Sequence, residues 1–145
     1  MNALDILKQD HERVKDLFAE YDTLSGDGSK RNDIAQTVLK ELEIHSRVEE
    51  DIFYPAMRAR SGKDGKELVR HSMSEHEAID ELVAELKETD PSDPDFDDRF
   101  LELMEDVEEH FEEEEAEMFP KARILGKELD VIGRQIQEEK DSLRT

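Results

Sequence analysis

Six residues carry the chemistry open to this sequence: His11, His45, Glu49, His76, His110 and Glu114. Each histidine interrupts an apolar stripe of helical spacing. The stripes read Leu4, Leu7, His11, Val14, Phe18; Val38, Leu42, His45, Glu49, Ile52; Val69, His76, Ile79; and Leu103, Val107, His110, Glu114, Met118. Residues i and i+4 share a helix face, so Glu49 lies one turn beyond His45, and Glu114 one turn beyond His110. An inward carboxylate is costly unless it is paired or bound to a cation, and two of them repel each other. A pair of metal ions removes both costs. Imidazole and carboxylate suit iron, manganese or zinc. Four nitrogens and two carboxylates exceed what a single zinc takes. They suit two octahedral ions that share carboxylates and a solvent-derived oxygen.

One histidine on an apolar face is ordinarily a core residue satisfied by a hydrogen bond. A lone His-x-x-x-Glu is commonplace on an acidic helix. Here four of the five histidines fall on the inward stripes of four different segments, and the two His-x-x-x-Glu pairs belong to a longer repeat. Residues 45–55 and 110–120 share His, Glu, Glu and Pro at the same offsets, ending in Pro55 and Pro120. Core packing alone does not account for that.

The elements that position these residues are helices. Three-four periodicity spans about residues 2–24, 31–60, 66–88 and 95–119, and a last amphipathic stretch covers about 128–143. The breaks between them are Ser25-Gly26-Asp27-Gly28-Ser29, Ser61-Gly62-Lys63-Asp64-Gly65 and Asp90-Pro91-Ser92-Asp93-Pro94, the last supplying the next N-cap. Pro55 and Pro120 should kink or end the regular part of their helices. The expected fold is all-α: an up-down-up-down four-helix bundle over residues 1–122, with residues 123–145 forming a short helix packed on its outside or end.

Composition narrows the partners. The 145-residue chain suits one domain and carries a net charge of -21. That charge opposes nucleic acid and anionic membrane as partners and is first of all a solubilising surface. With no cysteine, disulfides and thiolate metal sites are excluded. No signal peptide or membrane-length apolar run is seen, so a cytoplasmic protein, monomer or weak homodimer, is expected.

With these residues in view, the sequence resembles the hemerythrin-like family, the HHE cation-binding domains. The pattern His, His-x-x-x-Glu, His, His-x-x-x-Glu carries the resemblance, with the acidic-aromatic-proline tail after each pair. It implies that His11, His45, Glu49, His76, His110 and Glu114 ligate two iron ions, with Glu49 and Glu114 bridging and an oxo or hydroxo bridge between the ions. It implies an exchangeable position for dioxygen, nitric oxide or peroxide, in transport, sensing, stress defence or iron handling. Oxygen carriers of the family have a further histidine four residues before the one matching His76; that place is Ser72 here. His71 is turned about 140° from His76 on a regular helix, which makes it a surface or outer residue. Tyr54 is a candidate redox group or outer partner of the ligands, but it lies off the stripe, which favours ordinary packing.

Four readings follow: a protein that binds or senses a small ligand, an enzyme that decomposes peroxide or reduces nitric oxide, an iron store, or a metal-free structural bundle. Ferritin-type sites use Glu-x-x-His at i, i+3, unlike the i, i+4 pairs here. The metal-free bundle leaves the two inward glutamates unexplained.

Overall fold

A computed structural model describes residues 1–24 and 28–145, so Ser25, Gly26 and Asp27 of the first expected break lie outside the described residues. Helix α1 spans Ala3–Thr23. Asn2 caps it: its side chain accepts from the Asp5 N–H, and the Asp5 carboxylate accepts from the Asn2 N–H. Helix α2 spans Gly28–Val48, so Gly28 and Ser29 begin a helix instead of a loop. Helix α3, Tyr54–Arg60, continues the same rod. Helix α4 runs Gly62–Glu88 and α5 Pro94–Glu113. The break expected over 61–65 is thus confined to Ser61, and Gly62 at the start of α4, with a φ of +70, turns the chain within one step. Asp93 caps α5 through the Asp95 N–H, ahead of Pro94 at the first helical position. Helix α6, Phe119–Ala122, extends the fourth rod, and α7 spans Glu128–Arg144.

Two π-helical turns join the halves of the second and fourth rods, at Glu49–Phe53 and Glu114–Met118. Each ends directly before an aromatic-proline pair. Proline has no N–H to donate and its ring presses on the carbonyl four residues back, so the helix widens by one residue ahead of Pro55 and Pro120. The Tyr54 N–H bonds the Glu49 carbonyl and the Phe119 N–H that of Glu114, both i to i−5.

Contacts fix the topology. Those between α1 and α2 run from Asp10–His45 to Tyr21–Arg31, and those between α4 and α5 from His76–His110 to Glu85–Arg99. Sequence numbers rise on one partner as they fall on the other, the register of antiparallel neighbours. The core is two apolar clusters. One holds Val14, Phe18, Val38, Leu42, Ile79, Leu86, Phe100, Leu103 and Val107. The other holds Leu4, Leu7, Val48, Phe53, Met57, Val69, Met118 and Phe119, to which α7 adds Leu129, Ile132 and Ile136. The histidines and inward glutamates form a polar layer between the two.

Candidate metal centre

Each histidine of this layer arrives on a long helix in register with buried apolar residues: Leu7 and Val14 around His11, Leu42 and Val48 around His45, Ile79 after His76 and Val107 before His110. His11, His45, Glu49, His76, His110 and Glu114 are all buried, His11 and Glu49 completely. Their ligating atoms fall into two groups, His11, His45, Glu49 and Glu114, and Glu49, His76, His110 and Glu114, each lying within 4.8 Å. The two carboxylates belong to both.

Every ring has one nitrogen facing outward to a carboxylate. His11 Nδ1 meets Glu115 at 2.8 Å, His45 Nδ1 meets Asp10 at 3.0 Å, His76 Nδ1 meets Glu50 at 3.0 Å, and His110 Nδ1 meets Glu75 at 2.8 Å. A carboxylate acceptor keeps the proton on Nδ1, which leaves the Nε2 lone pair of a neutral ring aimed inward. Inside, His45 Nε2 is 3.2 Å and His76 Nε2 3.1 Å from Glu49 Oε1, and His11 Nε2 is 3.2 Å from Glu114 Oε1. His11 Nε2, His45 Nε2, Glu49 Oε2 and Glu114 Oε1 are buried without a hydrogen-bond partner. They approach other polar atoms without the geometry of a bond. Such groups are costly in a core, and a cation among them satisfies all four. The donor set therefore fits metal.

The electrostatics agree. Burial opposes the charge of Glu49, but His45, Glu114 and His110 outweigh it and hold its carboxyl well below the usual range. Burial and the neighbouring Glu49 push Glu114 up. Burial alone would lower His76 and His110; the nearby Glu49 carboxylate and the bond to Glu50 raise His76 to about 9, and Glu49 and the bond to Glu75 raise His110 to about 10. Both imidazoles thus hold a proton more tightly than a free histidine does, in the field of the buried carboxylates.

At Tyr54 the structure favours the alternative to ordinary packing. The residue is fully buried, and its hydroxyl lies 2.6 Å from Glu114 Oε2, 3.2 Å from Glu49 Oε1 and 3.1 Å from His76 Nε2. Five residues on a regular helix turn a side chain about 140° away. The π-turn removes that offset and stacks Tyr54 over Glu49. At the matching place in the other half stands Phe119, parallel to the His11 ring with centroids 5.8 Å apart. Burial, then Glu49 and Glu114, raise the Tyr54 phenol well above its usual value, with Ser72 pulling the other way.

The four outer carboxylates also escaped the sequence reading, although a signal was present. Asp10 and Glu75 immediately precede His11 and His76, and Glu50 and Glu115 immediately follow Glu49 and Glu114. Each reaches the ring of a different helix. His71 is exposed on a regular stretch of α4, with Nε2 3.1 Å from Glu113 and 3.6 Å from Glu75; Ser72 is buried.

A helical bundle that buries histidines around shared carboxylates defines a cation-binding protein of the hemerythrin type. Residues 2–122 match the Hemerythrin HHE cation binding domain, and the chain belongs to that family. It is 32% identical over 123 residues to a DNA nickase of Nostoc sp., covering 85% of this chain and 34% of the nickase. It is 29% identical over 147 residues to an uncharacterized protein of Mycobacterium tuberculosis, covering 99% of this chain and 88% of that one. The crystal structure of a Hemerythrin HHE cation binding domain-containing protein from Mycobacterium kansasii superposes with a TM-score of 0.84 at 26% identity, over 99% of this chain and 88% of that one. The chain thus spans about a third of the nickase and most of the mycobacterial proteins. Among the described residues, no helix is long and apolar enough to cross a membrane.

Proposed function

We propose that His11, His45, Glu49, His76, His110 and Glu114 hold two iron ions. His11 and His45 serve one, His76 and His110 the other, and Glu49 and Glu114 bridge. The protein then binds or senses a small ligand, dioxygen, nitric oxide or peroxide, in oxidative or nitrosative stress or iron homeostasis. One observation carries this reading: two buried carboxylates are shared by two histidine pairs, and four buried polar atoms among them have no hydrogen-bond partner.

Iron bound there supplies one-electron redox chemistry and a Lewis-acidic position for the ligand. The chain supplies the rest. The outer carboxylates orient each ring and raise its basicity. The apolar clusters on both sides keep bulk water out. The Tyr54 hydroxyl holds a proton beside Glu114 Oε2. Ser72 in place of a fifth histidine, with Tyr54 against His76, disfavours simple oxygen carriage.

That phenol favours one second reading, a peroxide-decomposing or nitric-oxide-reducing enzyme, because a proton donor at the centre assists cleavage of an oxygen bond. DNA chemistry is not carried over from the nickase: a net charge of -21 opposes phosphate.

Metal analysis and an optical spectrum of aerobically purified protein test the proposal. About two irons per chain are expected, with near-ultraviolet absorption that azide perturbs. A folded, iron-reconstituted sample that holds one metal or none would sink it. Catalytic oxygen release from added peroxide, lost in His45→Ala, selects the enzyme; stoichiometric oxidation without turnover selects the sensor.

A further inference from the structure

The two halves of the centre repeat one another in their outer carboxylates. Asp10, before His11, holds His45, as Glu75, before His76, holds His110. Glu115 holds His11 as Glu50 holds His76. What stands behind Asp10 breaks the repeat. Lys140 Nζ of α7 bonds Asp10 Oδ1, while Asp10 Oδ2 faces His45 Nδ1. The ion pairs of Glu50, Glu75 and Glu115 are with histidines.

Lys140 is only 7% exposed. An ammonium group is seldom buried to that degree unless it is paired, and here it is delivered by a helix that cannot easily shift. A Cβ at Gly133 would come within 2.9 Å of backbone atoms of Met1, Asn2 and Ala3, so α7 lies directly against the start of α1. Leu129, Ile132 and Ile136 are buried with it, and Arg144 reaches Glu41 of α2 at 2.7 Å. From Gly133 beside Ala3 to Lys140 beside Asp10, α7 runs parallel to α1. This helix lies beyond the residues matched to the family, which end at 122.

We propose that α7 is a working part of the metal centre: Lys140 is a positioning residue that fixes Asp10, and through it His45, so that the His11–His45 position depends on the C-terminal helix and the His76–His110 position does not. The inference rests on the two-metal reading above. Without Lys140 the buried Asp10 loses its anchor and the His45 ring loses its fixed partner. Outer-shell partners of ligating histidines are each worth about 10- to 100-fold in metal affinity. Lys140, one bond further out, belongs near the lower end, about 10-fold.

The test is Lys140→Met in the full chain, with Lys140→Arg, Asp10→Asn and Gly133→Leu beside it. Chelator competition with iron should show one of two ions weakened about 10-fold. Mössbauer spectra of the loaded protein should change in one component only. In the metal-free protein the His45 Nδ1–H resonance should move while that of His110 stays. Lys140→Arg should restore all three signatures. Gly133→Leu, which pushes α7 away from the start of α1 while Lys140 itself is unchanged in the sequence, should reproduce the one-ion loss. Asp10→Asn should do the same and not add to Lys140→Met. Equal weakening of both ions, an unmoved His45 resonance, or no rescue by arginine overturns the inference while the two-metal centre stands. A wild type that holds no metal pair overturns both. Should Lys140→Met not fold, Gly133→Leu and Asp10→Asn decide on the same readouts.

Discussion

The Tyr54 hydroxyl stands 2.6 Å from Glu114 Oε2, across the bundle from its own helix and 60 residues away in sequence. It ties the second rod to the fourth at the centre of the polar layer. Tyr54→Phe keeps the ring packing and removes the hydroxyl, leaving Glu49 and Glu114 short of a donor. The metal-free protein should lose about 1–3 kcal/mol in urea unfolding, the cost of an unsatisfied buried polar group. The iron-loaded protein should lose less, because the metal satisfies the carboxylates. Equal losses in the two forms would show that the hydroxyl acts on packing alone.

The outer carboxylates predict graded losses. Glu50→Gln, Glu75→Gln and Glu115→Gln each swap a charged acceptor for a neutral one opposite a histidine Nδ1. Metal affinity should fall about 10- to 100-fold for each, measured by chelator competition. Glu67→Gln, in exposed sequence on the same helix as Glu75, serves as the control and should match wild type.

Stability of the metal-free protein should fall with rising pH. His76 and His110 are raised from 6.5 to about 9 and about 10 on folding. A raised pKa stabilises fully below the unfolded value and the benefit is lost as pH passes the folded one. The melting temperature should therefore decline between about pH 6.5 and pH 10. At the acid end, Glu49, held low by His45 and its neighbours, contributes stability that is lost below the ordinary glutamate range. Metal loading near neutral pH must displace protons from both histidines, so calorimetry in buffers of different ionisation enthalpy should register at least two released. Loading with no proton release, or a metal-free melting point indifferent to pH, would contradict this account.

Substitutions on α4 separate inner from outer positions. His76→Ala should cost metal, since it removes an inward nitrogen and leaves a cavity. His71→Ala should leave iron content and spectrum nearly unchanged, because its exposed ring pairs with Glu113 and Glu75 outside the inward cluster. Equal metal loss in the two variants would make His71 a ligand. Ser72→His should overpack at about 1–3 kcal/mol, since Ser72 is buried beside the Tyr54 phenol. Pairing it with Tyr54→Ala should relieve the clash, and a thermal melt of single and double variants reads the difference.

Removing the metal should lower the melting temperature at a fixed pH, since ligand binding adds to folding free energy. Part of the loss is offset by protonated His76 and His110, so the gap should widen as pH rises from about 6.5 to about 10. A constant gap from pH 6 to 10 would count against that compensation.

The sequence by itself determined the helices and the inward six. Stripe periodicity places His11, His45, His76 and His110 because each falls in register with the buried apolar residues of its own helix. His-x-x-x-Glu adds Glu49 and Glu114 by the same rule. What tertiary structure alone decided lies in two departures from that rule. The first is local: π-turns before Pro55 and Pro120 shift register by one residue, so Tyr54 faces the centre where regular geometry turns it away. The prolines were visible in the sequence, but the direction in which the helix would yield was not. The second is long-range: which carboxylate serves which ring depends on how neighbouring helices are set against each other. Asp10 reaches His45 and not His11, and Lys140, 130 residues beyond Asp10, enters only because Gly133 lets α7 lie against the start of α1. Periodicity reports the face a residue occupies on its own helix, and those pairings are made between helices.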